Sequence, residues 1–245
     1  MATVLRIADL AYAYPGSDTP VFQGLDLSVE AGEFVALVGE SGVGKSTLLR
    51  CVAGLVDVHA GRVDATTEAR PGSRGFAFVF QDARLLPWRR VRANVAYGLS
   101  GLQLDRVERE ARVREVLALT MLTELAERWP HQLSGGQVQR AGIARALAVH
   151  PQLLLMDEPF SAVDAMTRQK LQDELLAIWE SKQPAVLFVT HDIEEAVYLA
   201  DRVVVLAGSP ARVALDQRVD LPRPRSREGA ALQHMARALT ERLAA

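Results

Sequence analysis

The chain has 245 residues, of which 49% are hydrophobic and 24% are charged, and its formal net charge is −2. This length and apolar content suffice for one large domain, or for a domain with a subdomain. The near-neutral charge argues against a general nucleic-acid-binding surface. The one cysteine, Cys51, allows no disulfide within the chain. No apolar run reaches the roughly 18–20 residues that a membrane helix needs.

The first part of the chain predicts strands. Val4–Leu10 and Val21–Val29 are strand candidates on either side of a turn-rich stretch. The continuous apolar run Phe34–Val38 is typical of a strand buried on both faces. A helix is predicted next at Ser46–Gly54, and a further strand at Gly75–Phe80.

The remainder is predicted to be a helical block followed by alternating strands and helices. From about Val91 to Val149 the sequence predicts helix almost throughout, so this block looks like an insertion. Strands alternating with helices predict an α/β fold with a mostly parallel sheet. Asp192 and Glu195 have the spacing of a capping box. The later segments are strands at Leu153–Met156, Ala185–Thr190 and Val203–Leu206, and helices at Thr167–Trp179, Asp192–Leu199 and Ala230–Leu243.

A glycine-rich segment between the strand Phe34–Val38 and the next helix matches the phosphate-loop pattern. Glycines let the backbone curl so that successive N–H groups point at phosphate oxygens. Lys45 supplies a cation for the β- and γ-phosphates, and the Ser46 hydroxyl can complete a magnesium shell. A plain glycine turn before a helix is the alternative. The phosphate loop consists of Gly39, Glu40, Ser41, Gly42, Val43, Gly44, Lys45 and Ser46, and Thr47 follows it.

Two carboxylates, Asp157 and Glu158, end the apolar strand Leu153–Met156. The carboxyl ends of strands in a parallel sheet face the ligand crevice, so Asp157 can reach a magnesium ion held by Ser46. Glu158 can orient a water as general base for attack on the γ-phosphate. A solvated acidic turn is the alternative interpretation.

Three more polar residues stand at element boundaries. Gln81 follows a strand, and its side-chain amide can ligate magnesium or hydrogen-bond the attacking water. His191 follows the strand Ala185–Thr190, where a neutral imidazole could bond the γ-phosphate, although a lone histidine is more often structural. Asp164 is also explained by plain helix capping.

A second glycine-rich loop opens the apolar-periodic stretch Gln137–Val149. Its periodicity places the loop at a helix N-terminus, where N–H groups and the helix dipole favour an anion. An ordinary helix cap with a glycine hinge explains the same residues. We call this the signature loop: Ser134, Gly135, Gly136 and Gln137, preceded by Leu133.

These motifs, in this order, resemble the ATPase subunits of ABC transporters over roughly Val4–Leu215. The resemblance implies a P-loop NTPase fold with a mostly parallel core sheet, an N-terminal antiparallel β subdomain and a helical insertion. The expected domains are an ABC ATPase domain over 1–220, with a helical subdomain at about 88–150, and a C-terminal tail and helix over 221–245. By this similarity Tyr14 would stack on adenine, with Tyr12 as the alternative.

The resemblance also implies cofactors and site roles. ATP and Mg²⁺ are expected, with Ser46, Gln81 and Asp157 on the metal. Glu158, His191, Lys45 and Gln81 are the expected catalytic set. The phosphate loop, Thr47, Asp164 and the signature loop are expected to bind the nucleotide. The signature loop is expected to close over ATP held by the opposite subunit of a dimer, in the simplest case a homodimer.

The implied partners are integral membrane permease subunits and, indirectly, a periplasmic or extracellular solute-binding protein, with no nucleic acid. The implied location is the cytoplasmic face of the inner or plasma membrane, reached through the permease. Pro159–Ala162 and Leu85–Trp88 look like importer ATPases in general. Gln81–Trp88, Asn94–Leu99 and the tail Leu221–Arg225 look most like the nitrate, sulfonate and taurine importer group. Trp88 is either an exposed anchor for the permease or part of the subdomain core. An exporter or lipid-extraction ATPase, or a soluble ABC ATPase acting on DNA or the ribosome, are the alternative functions.

Overall fold

The structure, a computed structural model, describes residues 2–65 and 71–244. The chain divides into two compact units, of which the first combines Met1–Thr66 with Ala185–Ala245 and the second consists of Thr67–Pro184. The first unit is therefore assembled from two separate pieces of chain.

An antiparallel sheet forms the N-terminal part of the first unit. Strand β1 (Thr3–Ala13) lies between β2 (Pro20–Glu30) and β4 (Ala60–Ala65) and is antiparallel to both. Buried side chains at Leu5 and Ile7 alternate with an exposed one at Arg6, as expected for a sheet with one face on the core. The two predicted strands and the antiparallel arrangement are confirmed, whereas β4 was not predicted.

The core strands of the first unit are mostly parallel. Strand β3 (Phe34–Gly39) pairs in parallel with β7 (Ala185–Val189) on one side and β8 (Arg202–Ala207) on the other, and β9 (Arg212–Arg218) runs antiparallel to β8. Every residue of β7 is buried, as the continuous apolar run predicts. The sequence prediction missed β9. The helices of this unit are α1 (Lys45–Val52), α6 (Ile193–Leu199) and α7 (Ala230–Ala244).

From residue 71 to 184, the described part of the second unit combines two parallel strands with four helices. Strands β5 (Phe76–Val79) and β6 (Leu153–Asp157) pair in parallel. The almost continuous helix expected over Val91–Val149 is correct in type but is interrupted, since three helices and two short 3₁₀ turns occupy that stretch. Whether residues 88–150 act as a separate subdomain stays a prediction. The helices are α2 (Val91–Gly98), α3 (Arg106–Leu119), α4 (Gly135–Leu147) and α5 (Ala165–Lys182), and the turns are Thr123–Leu125 and Pro130–Gln132.

Side-chain caps explain where several helices begin. Asp105 and Glu108 form a complete capping box that starts α3. The box predicted for Asp192 and Glu195 is only half formed. Asp192 accepts the Glu195 N–H at 3.1 Å, but the Glu195 carboxylate bonds the Thr190 hydroxyl instead of reaching back. Thr190 Oγ1 takes its place as acceptor of the Asp192 N–H, at 3.0 Å.

Candidate functional site

The phosphate loop between β3 and α1 follows a path that only glycine permits at its last turn. Gly42 and Gly44 have φ values of 86° and 107°, in the left-handed region that glycine enters without steric cost. A Cβ atom on Gly44 would lie 2.7 Å from Val21 Cγ1 and 2.9 Å from Phe22 Cε1. Both the backbone angle and the available space therefore require glycine at position 44.

The start of α1 is built to receive an anion. Gly44 is its N-cap, and no side chain among the described residues caps this end. N–H groups at an uncapped helix start, together with the helix dipole, form a favourable anion site. The Lys45 ammonium group is held within the same loop, where it donates to the carbonyl oxygens of Gly39 at 2.8 Å and Glu40 at 2.9 Å. Lys45 is 4% exposed, so its positive charge is buried at the phosphate loop.

A cleft of about 510 Å³ opens beside the phosphate loop within the first unit. Its walls include Gly39–Ser41 of the loop, His191 after β7, and Leu206–Ser209 at the end of β8. The volume is within the range of small-molecule sites. The structure thus brings His191 and the phosphate loop to one cleft, although the contact of His191 with a γ-phosphate stays a prediction.

The two tyrosines considered for adenine stacking differ in exposure. Tyr14 is 49% exposed, and its hydroxyl lies 2.6 Å from Thr47 Oγ1, directly after the phosphate loop. Tyr12 is 4% exposed and packs edge-on against Tyr14, with ring centroids 5.5 Å apart. Of the two, Tyr14 offers the accessible ring, which supports the choice of Tyr14.

The acidic pair in the second unit occupies the end of β6. Asp157 is the last residue of that strand and is 7% exposed. Glu158 follows with a φ of 42°, a left-handed value that costs a residue other than glycine on the order of 1–3 kcal/mol. Backbone strain of this kind is concentrated at sites where the direction of a side chain matters.

Gln81 is connected to the acidic pair through Ser161, a residue that the sequence interpretation did not single out. Gln81 Nε2 donates to Ser161 Oγ at 3.1 Å, and that hydroxyl donates to the Glu158 carbonyl oxygen at 2.9 Å. Because the amide nitrogen is the donor in this chain of bonds, the amide oxygen of Gln81 is the atom suited to a metal. The sequence offers no signal for Ser161, since only the folded loop brings its hydroxyl between the other two residues.

The signature loop forms the start of α4, as predicted. Ser134 is the N-cap, and its Oγ accepts the Gln137 N–H at 3.4 Å while Gln137 Oε1 accepts the Ser134 N–H at 2.9 Å. This reciprocal capping box was not predicted. The helix face expected to be apolar is buried at Ile143, Ala144 and Leu147. The structure therefore shows the ordinary capping role, and contact of the signature loop with a nucleotide stays a prediction.

Asp164 likewise caps a helix. It is the N-cap of α5 and accepts the Thr167 N–H at 3.0 Å. That N–H and, next, the Thr167 hydroxyl lower the pKa of the Asp164 carboxyl. The structure therefore shows the capping role, and contact of Asp164 with the nucleotide stays a prediction.

The donors expected for magnesium fit a hard cation. Ser46 supplies a hydroxyl in the first unit, and Asp157 and Gln81 supply a carboxylate and an amide oxygen in the second. Oxygen ligands of these kinds, completed by phosphate and water, are what Mg²⁺ prefers. The burial of Asp157 at a strand end is consistent with this role.

Trp88 lies on the surface of the second unit. It is 69% exposed, which excludes the alternative that it fills the core of that unit. Tyr97 is 47% exposed, and the Arg89 guanidinium carbon lies 5.1 Å from its ring centroid. Within residues 2–65 and 71–244, no helix combines the length and apolar character needed to cross a membrane.

The sequence pattern of the family described as ABC transporter matches residues 22–161, more than half of the chain. The chain belongs to the ABC transporter family. This confirms the resemblance inferred from the motifs.

Relatives of this ABC transporter chain include importer subunits. An aliphatic sulfonates import ATP-binding protein from Ralstonia nicotianae is 48% identical over 242 residues, covering 98% of this chain and 82% of the relative. A taurine import ATP-binding protein from Pseudomonas entomophila is 48% identical over 213 residues, covering 86% of this chain and 82% of the relative.

Solved structures of the same fold confirm the expected α/β class. CbiO1 from Clostridium perfringens, part of the ABC transporter complex cbiONQ, has a TM-score of 0.79 and 28% identity, covering 89% of this chain and 90% of its own. A dimeric ATP-binding cassette in a post-hydrolysis state, bound to ADP and Pi, has a TM-score of 0.75 and 29% identity, covering 89% and 100%.

Proposed function

We propose that this chain is the ATP-hydrolysing subunit that powers import of a small solute of the sulfonate or taurine kind through a membrane permease. One observation carries the ATPase assignment, namely the Lys45 ammonium group inside a glycine loop at an uncapped helix start. The importer assignment is supported by 48% identity to a sulfonate importer subunit across 98% of the chain.

ATP binding begins in the first unit. The N–H groups of the phosphate loop and the first turn of α1 bond phosphate oxygens, and Lys45 neutralises part of their charge. Adenine stacks on the exposed ring of Tyr14, whose hydroxyl is already anchored at Thr47. The hydroxyl bond fixes the direction of that ring next to the loop.

Hydrolysis requires a positioned water and a stabilised γ-phosphate. Ser46, Asp157 and Gln81 would hold Mg²⁺, which would supply positive charge to offset the negative charge of the phosphates. Glu158 acts as the general base that orients the attacking water. The bond from Ser161 to the Glu158 carbonyl fixes the backbone from which that carboxylate projects. The His191 imidazole bonds the γ-phosphate from the cleft it shares with the loop.

We infer that two copies of the chain cooperate. The signature loop of each copy completes the site formed by the phosphate loop of the other, so ATP joins two protein surfaces and hydrolysis releases them. The dimeric state of the related cassette bound to ADP and Pi supports this arrangement. The self-capped start of α4 supports it too, since a loop that is stable without a ligand is ready to meet a nucleotide bound elsewhere.

The permease contact is assigned to the exposed aromatic surface at Trp88 and Tyr97, in the helical subdomain at about 88–150. A large exposed aromatic residue is typical of an energetically important interface position. With this contact we expect the chain to lie at the cytoplasmic face of the membrane and the periplasmic or extracellular solute-binding protein to act through the permease.

Reconstitution with a candidate importer permease tests the function. We expect the chain to co-purify with that permease in detergent and to support ATP-dependent uptake of labelled taurine or an alkanesulfonate into proteoliposomes. The matched control is Glu158→Gln, which should retain ATP binding and slow hydrolysis by about 100- to 10,000-fold, the usual contribution of a general base. Recovery with ribosomes or nucleic acid and without a permease would contradict the importer assignment.

A further inference from the structure

The signature loop touches the start of α5 at one glycine. A Cβ atom on Gly136 would lie 2.6 Å from Thr167 Cγ2 and 3.8 Å from Leu171 Cδ1. Separations below about 3.0 Å are far inside van der Waals contact, so Thr167 occupies the space that a side chain at 136 would need.

The neighbouring glycine is different. A Cβ atom on Gly135 would lie 3.7 Å from Val163 Cγ1 and 3.9 Å from the Ala162 carbonyl oxygen, which are ordinary contact distances. Two adjacent glycines of one loop thus face different constraints, and only Gly136 is closed by a side chain of α5.

Thr167 is held in place and cannot readily turn aside. Its side chain branches at Cβ, which restricts its rotamers within a helix. Its N–H donates to Asp164 Oδ1 at 3.0 Å, and its hydroxyl is near enough to the Asp164 carboxylate to help lower the pKa of that carboxyl. The rotamer of Thr167 therefore places the methyl group against Gly136 and the hydroxyl on the side of Asp164.

We propose that Thr167 is a positioning residue that fixes the signature loop relative to Asp164 at the start of α5, and that its methyl group is what restricts position 136 to glycine. The proposal rests on the proposed function, because the signature loop acts on ATP held by a second copy. If glycine were needed at 136 only to admit that nucleotide, the side chain at 167 would have no influence on the requirement.

A double-mutant cycle separates the two explanations. Gly136→Ala should lower the Tm and, in the Glu158→Gln background, raise the ATP concentration for half-maximal dimer formation by about tenfold, a size typical of coupled neighbours. Adding Thr167→Ser should restore both quantities, because serine keeps the hydroxyl and N–H for Asp164 but lacks Cγ2. Binding of a fluorescent ATP analogue to the monomer should stay unchanged throughout, since the phosphate loop is untouched.

The matched control is Gly135→Ala with and without Thr167→Ser. Because the space at 135 is not closed by Thr167, any impairment there should not be relieved by the serine. This control shows that rescue at 136 reflects the specific contact and not a general loosening of α5.

The other outcomes overturn the proposal. If the double variant were as impaired as Gly136→Ala in both Tm and dimer formation, the Thr167 contact would not be what restricts position 136 to glycine. The same conclusion would follow if Gly136→Ala had no effect. Recovery of Tm without recovery of dimer formation would remove the positioning role. If the Glu158→Gln parent itself failed to dimerise with ATP, the proposed function would be at fault, whereas the Tm cycle would still decide whether Thr167 restricts position 136.

Discussion

Two glycine-rich loops in this chain each lead into a helix. Within the described residues, the first helical N–H groups have no side-chain cap after one loop and are capped by side chains after the other. Before α1, the N-cap Gly44 has no side chain to offer, and a buried lysine lies in the loop. Before α4, Ser134 and Gln137 bond each other's backbone N–H groups and complete the cap.

The difference matches the two roles proposed for these loops toward one phosphate. The phosphate loop carries positive charge and incomplete capping, so it gains stability when it binds an anion. The signature loop is already satisfied by its own side chains, so its fold does not depend on the nucleotide. Such a loop is suited to being presented to ATP that another chain holds.

The largest expected effect is in the phosphate loop. Lys45→Ala should weaken ATP binding by about 10- to 100-fold, since hydrogen bonds to charged groups are worth about 1.5–3 kcal/mol. Equilibrium binding of a fluorescent ATP analogue to the monomer measures this. Ser134→Ala is the paired control and should leave monomer affinity unchanged. Equal losses of ATP affinity in the two variants would show that the two loops do not differ in how they bind the nucleotide of their own chain.

Mixing variants tests whether the second loop acts on the partner. Lys45→Ala and Ser134→Arg chains should each be inactive alone, and mixing them should restore part of the ATPase activity, because one site of each mixed dimer is intact. Mixing Lys45→Ala with Glu158→Gln is the control and should restore nothing, since both residues serve the same bound ATP. An inactive first mixture, with mixed dimers present, would show that the loops act within one chain.

A comparison of two capping boxes isolates the role of the signature loop from helix stability. Ser134→Ala and Asp105→Ala each remove an N-cap acceptor and should cost about 1 kcal/mol, or about 2–4 °C in Tm. Only Ser134→Ala should also lower ATPase activity, because Asp105, which starts α3, is not among the expected site residues. A similar loss of activity in both variants would reduce the signature loop to a structural cap.

The smallest effect concerns the middle of α4, which is less well satisfied than its start. Arg140 and Glu174 approach to 3.7 Å, but Arg140 Nε and Glu174 Oε2 have no hydrogen-bond partner in the part of the chain that the structure describes. Burial raises the pKa of Glu174 above 4.5 more than Arg140 lowers it. The charged form is thus disfavoured on folding, and wild-type stability should fall as pH rises above that ordinary value.

Glu174→Gln removes this penalty. We expect a small rise in Tm at pH 7 to 8, and the difference from wild type should shrink as the pH falls toward 4.5, the ordinary glutamate pKa. Thermal melts across this pH range provide the measurement. A lower Tm for the variant at neutral pH would show that the pair stabilises the helix contact after all.

The sequence was sufficient for the elements that carry strong apolar patterns. The runs in β3 and β7 and the periodic face of α4 predicted buried strands and a helix, and the motifs were assigned to the correct strand ends and helix starts. The strands β4 and β9 were missed because both are edge strands with mostly exposed or half-buried side chains. Such strands are stabilised by backbone pairing, which leaves little trace in the residue pattern.

The site residues that were not predicted make contacts with residues that become their neighbours only when the chain folds. The Ser161 hydroxyl, which connects Gln81 to Glu158, lies 80 residues after Gln81 in the sequence, and the Thr167 methyl group meets Gly136 only after two helices pack. Neither residue type has a preferred spacing for such a contact. Their roles depend on distances that no periodicity encodes.

The pairing of β3 has a consequence for biosynthesis. Its two neighbours, β7 and β8, both come from the chain after residue 184. At about 5–20 residues per second, the nascent strand is without partners for on the order of 10 seconds. Its apolar residues and both of its edges are exposed during that time, which makes it a natural target for a ribosome-associated chaperone. The strand that supports the phosphate loop is thus among the earliest to be synthesised and among the last to find its place in a sheet.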